Sequence, residues 1–174
     1  VPVFSFSKLT RVDVTLGPEM KSTGEVMGKD STLEKALYKG LIGAGRKVPL
    51  HGSILFTIDD VNKPEAARLA KRFYDIGFKI WATRGTSRYF NELNIPTKIG
   101  YKIEEETENL ISLIQKGKVQ YVVNTTTKGK QSMNDGFLIR RTSVENGVPC
   151  LTSMDTVEAM LKVIESMTFK MEKM

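Results

Sequence analysis

The sequence contains one cysteine, Cys150, and one histidine, His51. A single cysteine excludes an internal disulfide and is typical of a reducing compartment, so we expect a cytoplasmic protein. A single histidine excludes any mechanism that needs two of them in one chain. No stretch approaches ~18 uninterrupted apolar residues, so no membrane span and no membrane partner are predicted.

The sequence also lacks runs of lysine and arginine, although basic residues outnumber acidic ones by 26 to 20. Because the excess is spread along the chain without aromatic interleaving, nucleic-acid binding is not predicted. A net charge of +6 favours a small anion such as a nucleotide or sugar phosphate. The 174 residues fit one domain, and their 40% apolar content excludes a disordered chain. The start has neither an initiator Met nor a signal-peptide pattern, so we interpret the chain as the interior of a longer polypeptide.

From residue 48 onward, short apolar runs alternate with amphipathic segments. Strands are predicted at 53–58, 78–82, 97–101, 119–123 and 149–152, and helices at 64–76, 86–93, 108–115, 137–145 and 155–164. This alternation predicts the α/β class: a Rossmann-like parallel sheet of four to five strands with helices on both faces.

The two ends of the chain are predicted to be less regular. Residues 1–30 are interrupted by proline and glycine, and we expect them to be extended. A helix follows, capped by Asp30 or Ser31 and ending at Gly43-Ala-Gly45; its apolar face would carry Leu33, Ala36, Leu37 and Leu41. The last helix would be capped by Asp155, and the tail after residue 166 has little to pack against, which predicts fraying.

In an open parallel sheet, ligands bind beyond the carboxyl ends of the strands, where loops lead into helix N-termini. The residues after the predicted strands are rich in polar groups: Asp59, Asp60, Asn62, Lys63, Thr83-Arg-Gly-Thr86, Lys102, Asn124-Thr-Thr-Thr127, Thr152 and Ser153. The Thr83-x-Gly85-Thr86 turn is the clearest candidate for a phosphate site, because its glycine admits an anion and its hydroxyls can donate to phosphate oxygens. The simpler alternative is a helix cap by Thr86.

Other patterns are interpreted as structural, so no catalytic residue and no metal site are predicted. Asp59-Asp60 is assigned to capping and turn formation in preference to a metal pair or an acid/base pair. Cys150 falls in a predicted strand and is interpreted as a small buried side chain. His51 precedes the first strand of the sheet, away from the ligand end.

The opening of the chain carries a specific pattern: Phe4-Ser-Phe-Ser-Lys8, Val12-Asp13 and the run at residues 16–28. It resembles the segment that closes the second ATP-grasp unit of the carbamoyl-phosphate synthase large subunit. The chain from about Val48 onward resembles that subunit's C-terminal methylglyoxal-synthase-like regulatory domain. The matching pieces are Thr57 with Lys63, Gly77-Phe78, Ala82-Thr-Arg-Gly-Thr86, Lys102, Asn124-Thr-Thr126 and Ile139-Arg-Arg141. The resemblance implies an ATP-grasp tail at 1–30, a connecting helix at 31–47, the regulatory domain at 48–166 and a frayed tail at 167–174.

The resemblance implies an allosteric domain that binds a nucleotide effector, with uridine monophosphate (UMP) the first candidate and inosine monophosphate (IMP) or phosphoribosyl diphosphate the others. Other implied partners are the upstream ATP-grasp domains and the small glutaminase subunit; ATP with Mg or Mn would serve the parent enzyme, and no cofactor is expected in this chain. The implied site residues are Thr57, Lys63, Thr83, Gly85 and Thr86 around the phosphate, Lys102, Asn124, Thr125 and Thr126 along the remainder, and Gly136 and Leu138 near the base. Where the family more often has a polar residue after Asp135, this chain has Gly136, in a segment we expect to be a loop.

Two related proteins and one simpler possibility stay open. Methylglyoxal synthase, a lyase acting on dihydroxyacetone phosphate, shares the phosphate-binding turn but needs a His-Asp pair after strand one and a further His in the last loop. Here Asp59-Asp60 stands at the first place and the last loop has no His. The second is the N-terminal domain of the bifunctional purine enzyme that closes IMP, and the third is an interaction module with a vestigial pocket. We predict the effector-binding domain, with the lyase as the alternative.

Overall fold

The computed structural model describes residues 1–4, 20, 22–101, 109–125 and 130–171. In chain order the elements are β1 (Pro2–Phe4), β2 (Ser22–Glu25), α1 (Leu33–Gly43), β3 (Ser53–Thr57), a 3-10 turn (Asp60–Asn62), α2 (Lys63–Asp75), β4 (Lys79–Thr83), α3 (Arg84–Glu92), β5 (Thr97–Gly100), α4 (Leu110–Gln115), β6 (Tyr121–Asn124), α5 (Lys130–Glu145), β7 (Cys150–Leu151) and α6 (Met154–Met171). Among these described residues, no helix has the length and apolar character needed to cross a membrane.

A five-stranded sheet forms the centre of the structure, in the order β5-β4-β3-β6-β7, and every neighbouring pair is parallel. The register places Thr57 opposite Asn124 and Thr83 opposite Gly100. The carboxyl ends of four strands therefore finish together at one edge, which we call the carboxyl edge. The predicted parallel α/β sheet is confirmed.

Both faces of the sheet are covered by helices, as predicted. Along β3, Ile54 and Phe56 belong to a core with residues of α1, α2, α3 and α6, whereas Leu55 belongs to a second core with residues of α4 and α5. Because successive side chains of a strand point to opposite faces, a strand covered on both faces is apolar at consecutive central positions. This burial on both faces explains the continuous apolar run Ile54-Leu-Phe56 in β3.

Two short strands before α1 form an antiparallel ribbon, in which Val3 pairs with Gly24. The ribbon is followed by Gly28, which lies directly against α1: a Cβ on Gly28 would lie 2.6 Å from the amide nitrogen of Gly40. Only a glycine allows this approach, since real Cβ atoms do not come so close to backbone. The extended strands fit the expectation for residues 1–30, of which 5–19 and 21 lie outside the described residues.

The starts of α1 and α5 differ from the prediction. Thr32, not Asp30 or Ser31, caps α1, where its Oγ1 accepts from the amide of Lys35 at 3.4 Å. Leu33, the first residue of α1, is 78% exposed and does not belong to the apolar face. Helix α5 begins at Lys130 and not at residue 137 as predicted. Asp135 and Gly136 therefore lie in a helix and not in a loop. A glycine lowers helix propensity, which explains the late start.

The last helix also runs longer than the sequence indicated. It extends to Met171, so the predicted end at residue 164 is wrong and residues 167–171 of the expected frayed tail are helical. Its cap is Ser153 and not Asp155, since the Ser153 Oγ accepts from the amide of Thr156 at 3.3 Å. Met167 and Thr168 in this added part of the helix are half-buried, so it packs against the rest of the protein.

Asp30 has a different role from the one expected, because it pairs with Lys39 of α1 at 2.8 Å. The hydrogen bond from Lys39, with a second from the Ser31 amide, lowers the pKa of Asp30 to about 2. The folded state thus binds this proton less readily than the unfolded chain, whose Asp pKa is about 3.9. We expect Asp30→Asn to reduce stability at neutral pH and the difference from the parent to disappear as the pH falls from about 4 to about 2.

Urea unfolding of both proteins across that pH range measures the difference directly. Asn keeps the oxygen that accepts from Ser31, so the comparison isolates the charge. A stability difference that stayed constant down to about pH 2 would show that the Asp30–Lys39 pair does not act in this way.

Candidate functional site

The carboxyl edge of the sheet brings Thr57 and Asn124 into direct contact. The Asn124 Nδ2 donates to the Thr57 Oγ1 at 2.8 Å, and the Thr57 hydroxyl donates to the carbonyl of Val123 at 3.0 Å. Both side chains are buried, at 8% and 4% exposure for Thr57 and Asn124. These two candidate residues therefore lie together, and their hydroxyl and amide groups are fixed by each other.

Next to this pair, Thr125 and Asp59 are linked by two hydrogen bonds. The Thr125 hydroxyl donates to the Asp59 Oδ1 at 3.1 Å and accepts from the Asp59 amide at 3.0 Å. Asp59 also caps the 3-10 turn by accepting from the amide of Asn62 at 3.3 Å. The interpretation of Asp59 as a capping and turn residue is confirmed. Across the described parts of the chain, no three His, Cys, Asp or Glu side chains are grouped so that they could hold a metal ion.

The Thr83-x-Gly85-Thr86 turn forms the start of α3. Thr83 occupies the cap position, so the alternative of a cap by Thr86 is wrong. The Thr83 side chain makes no capping hydrogen bond and donates to the Thr86 Oγ1 at 3.2 Å. Thr86 is only 1% exposed. Two neighbouring hydroxyls and the positive end of a nine-residue helix thus meet at the end of β4, an arrangement that favours an anion.

Lys63 reaches this helix end from the start of α2. Its Nζ lies 3.6 Å from the place where a Cβ on Gly85 would be. The Lys63 side chain is 18% exposed and pairs with Asp60 at 2.5 Å, whereas the Asp60 side chain is 92% exposed. The Lys63 side chain therefore places its ammonium group at the α3 terminus, and its only neutralising partner among the described ion pairs is a carboxylate that water screens.

Helix α5 contributes a residue to which the sequence analysis gave no role. The Arg140 Nη1 donates to the Asn124 Oδ1 at 2.7 Å, and Arg140 is 6% exposed. Gly136, one of the predicted site residues, lies beside both: a Cβ there would be 2.9 Å from the Arg140 Nη1. The Ile139-Arg-Arg141 match was the one signal for Arg140, and the late predicted start of α5 hid its alignment with Gly136.

The remaining predicted residues are less closely tied to this edge. Leu138 follows on α5 with 45% exposure, and its place near a nucleobase stays a prediction. Lys102 and Thr126 lie outside the described residues, so their roles stay predictions too. Cys150 is half-buried against the second core, as a small packing residue would be.

Two open cavities flank the sheet at opposite edges. One of about 290 Å³ adjoins the carboxyl edge, between Asn62, Thr125 and the start of α6 at Thr152 and Ser153. A larger groove of about 620 Å³ lies at the other edge, where Lys79, Thr97 and Lys98 begin their strands. We call this second place the amino edge. Its polar lining comes from Tyr74, Lys79, Asn91, Thr97 and Lys98, whereas the carboxyl edge holds the buried Thr57, Thr86 and Asn124 beside Arg140.

Comparison with known protein families agrees with this geometry. A model of the MGS-like domain family, named for methylglyoxal synthase, matches residues 65–152. The matched range is just over half of the chain and runs from α2 to the residue after β7. It includes the α3 turn, Asn124 and Arg140, with Thr57 and Lys63 immediately before it. The chain belongs to the MGS-like domain family.

Proposed function

We propose that this chain is the allosteric effector-binding domain of a carbamoyl-phosphate synthase large subunit. It would bind a nucleotide effector, UMP first among the candidates, and regulate carbamoyl phosphate synthesis for pyrimidine and arginine production. Membership of the MGS-like family supports a domain of this kind, and the opening pattern at residues 16–28 supports this parent enzyme. Its partners would be the upstream ATP-grasp domains, which use ATP with Mg or Mn, and the small glutaminase subunit, in the cytoplasm.

One observation carries the proposal: the Lys63 ammonium faces Gly85 at the start of α3, beside the Thr83 and Thr86 hydroxyls. A nucleotide phosphate brings close to two negative charges. A helix N-terminus and an ammonium group offset such charge, and hydroxyls donate to the phosphate oxygens. The buried Thr57, Asn124 and Thr125 continue the same edge and offer groups for the rest of a nucleotide.

The position of the single histidine supports binding over lyase chemistry. Methylglyoxal synthase needs histidines at the ligand end of the sheet to move protons. His51 precedes β3, and the five residues of that strand, at about 3.3 Å each, separate it from the carboxyl edge. The residue after Thr57 and Ile58 is Asp59, which caps a turn.

The experiment that tests the proposal is a calorimetric titration of the protein with UMP, IMP, phosphoribosyl diphosphate and dihydroxyacetone phosphate. We expect at least one of the three effector candidates to bind and no methylglyoxal to form from dihydroxyacetone phosphate. Methylglyoxal above a buffer control would favour the lyase. If none of the three candidates bound, the proposed function would be wrong.

Substitution of Asp60 is expected to raise the affinity for UMP, whereas most substitutions in a binding site lower the affinity for the ligand. It neutralises Lys63 in the free protein, so a bound phosphate must compete with it. Because the carboxylate is exposed, the pair contributes only about 0.2–1 kcal/mol. We expect Asp60→Asn to tighten UMP binding by up to about fivefold in calorimetry.

A matched control is Asp75→Asn, which removes one negative charge at the far end of α2, the helix that begins with Lys63. It should leave the affinity nearly unchanged, since exposed charges at that separation are screened by salt. Equal effects of the two substitutions, or weaker binding by Asp60→Asn, would contradict the competition.

A further inference from the structure

A chain of buried hydrogen bonds links α5 to the carboxyl edge. Arg140 donates to the Asn124 Oδ1 at 2.7 Å, Asn124 donates to the Thr57 Oγ1 at 2.8 Å, and Thr57 donates to the Val123 carbonyl at 3.0 Å. All three side chains are more than nine-tenths buried. The chain therefore lies inside the protein at the place where the site residues meet.

The direction of these bonds is set from the two ends. A guanidinium group only donates, so the Asn124 oxygen must face Arg140 and the amide nitrogen must face Thr57. A backbone carbonyl only accepts, so the Thr57 proton must go to Val123. One N–H of Asn124 and the proton of Thr57 are thereby assigned, and the groups that a ligand meets at this edge have a fixed orientation.

Gly136 makes the contact between Arg140 and Asn124 possible. The two α5 residues are four apart and thus share one helix face. A Cβ on Gly136 would lie 2.9 Å from the Arg140 Nη1 and 3.5 Å from the Asn124 Oδ1. Gly136 is not one of the glycines with a positive φ. Space, and not backbone conformation, is therefore what requires glycine here.

We propose that Arg140, given room by Gly136, is a positioning residue of the nucleotide site. It acts through Asn124, whose amide it orients so that the amide nitrogen donates to the Thr57 hydroxyl. This inference rests on the proposed function, which supplies the ligand. It also gives a physical role to Gly136 at the position where the sequence departs from the more common polar residue.

The test uses Gly136→Ala, because this substitution displaces the guanidinium without removing any hydrogen-bonding group. Alanine is the better helix former and the atom in its way is the end of a side chain, so the protein should fold; because a buried hydrogen bond is lost, its melting temperature should fall. The methyl group should displace the guanidinium. We expect a shifted NMR signal of the Asn124 side-chain amide in the ligand-free protein and a roughly tenfold loss of UMP affinity.

A second comparison asks whether the effect passes through Asn124. In an Asn124→Ala background, Gly136→Ala should cost no further UMP affinity, because the residue that transmits the effect is gone. An unchanged Asn124 signal in Gly136→Ala, or a full loss of affinity that persists in the Asn124→Ala background, would overturn the inference. If the parent protein did not bind UMP, the proposed function would fail, while the ligand-free Asn124 signal would still decide whether Arg140 orients this amide.

Discussion

Lys63→Ala is expected to weaken UMP binding by about ten- to hundredfold. The Lys63 side chain is largely buried, and its ammonium group lies beside Gly85 at the α3 terminus, where the phosphate would lie. Losing one charge-assisted hydrogen bond costs about 1.5–3 kcal/mol, which corresponds to this range of affinity. Calorimetry gives the dissociation constant, and a thermal melt shows whether the fold is retained.

The matched control is Lys79→Ala, which removes an exposed lysine at the amino edge of the sheet. Both substitutions lower the net charge by one, so a difference between them reports on position. If the chain is part of a carbamoyl-phosphate synthase, as proposed, Lys63→Ala in the whole enzyme should blunt inhibition by UMP without lowering the uninhibited turnover, since the reaction would take place in other domains. Equal affinities of Lys63→Ala and the parent would show that the phosphate lies elsewhere.

Phe56→Ala is expected to destabilise the protein by about 3–5 kcal/mol. Phe56 is fully buried in β3 and packs edge-to-face on Phe90 of α3 at 5.5 Å and on Phe73 of α2 at 6.4 Å between ring centroids. Removing its ring would leave a cavity between the sheet and these two helices. Domains of this size are stable by about 5–15 kcal/mol, so the loss is a large part of the total.

Urea unfolding measures this loss as a fall in the midpoint. Tyr74→Ala is the control, because Tyr74 is an aromatic residue of α2 next to Phe73 but 42% exposed. We expect it to cost much less. A loss for Phe56→Ala no larger than that for Tyr74→Ala would mean that the aromatic cluster does not hold β3 against α2 and α3.

The sheet was predictable because its strands are buried on both faces. Ile54, Leu55 and Phe56 are all fully buried, and a continuous apolar run between helices is the pattern that such burial produces. The rule that ligands bind at the carboxyl ends of parallel strands then brought Thr57, Thr83 and Asn124 together before their contacts were known. Each of these residues lies at a strand end by its position in the sequence.

The contribution of α5 was not predictable in the same way. Gly136 breaks the apolar helical pattern, so the sequence placed Asp135 and Gly136 in a loop, whereas packing against α4 and β6 holds them in a helix. Because the predicted helix began after Gly136, the sequence did not indicate that Gly136 and Arg140 share one face of α5. The approach of Lys63 to Gly85 joins two separate helices, and such a contact depends on how α2 and α3 pack and not on any local pattern.

The most direct test of the central claim is the mapping of backbone amide chemical shifts during a titration with UMP. The proposed site predicts the largest changes at Lys63, Gly85, Thr86 and Asn124, along the carboxyl edge. It predicts little change at Thr97 and Lys98 in the larger groove of the amino edge. Shifts confined to the amino edge, or no shifts at saturating nucleotide, would contradict the claim that the carboxyl edge is a nucleotide site.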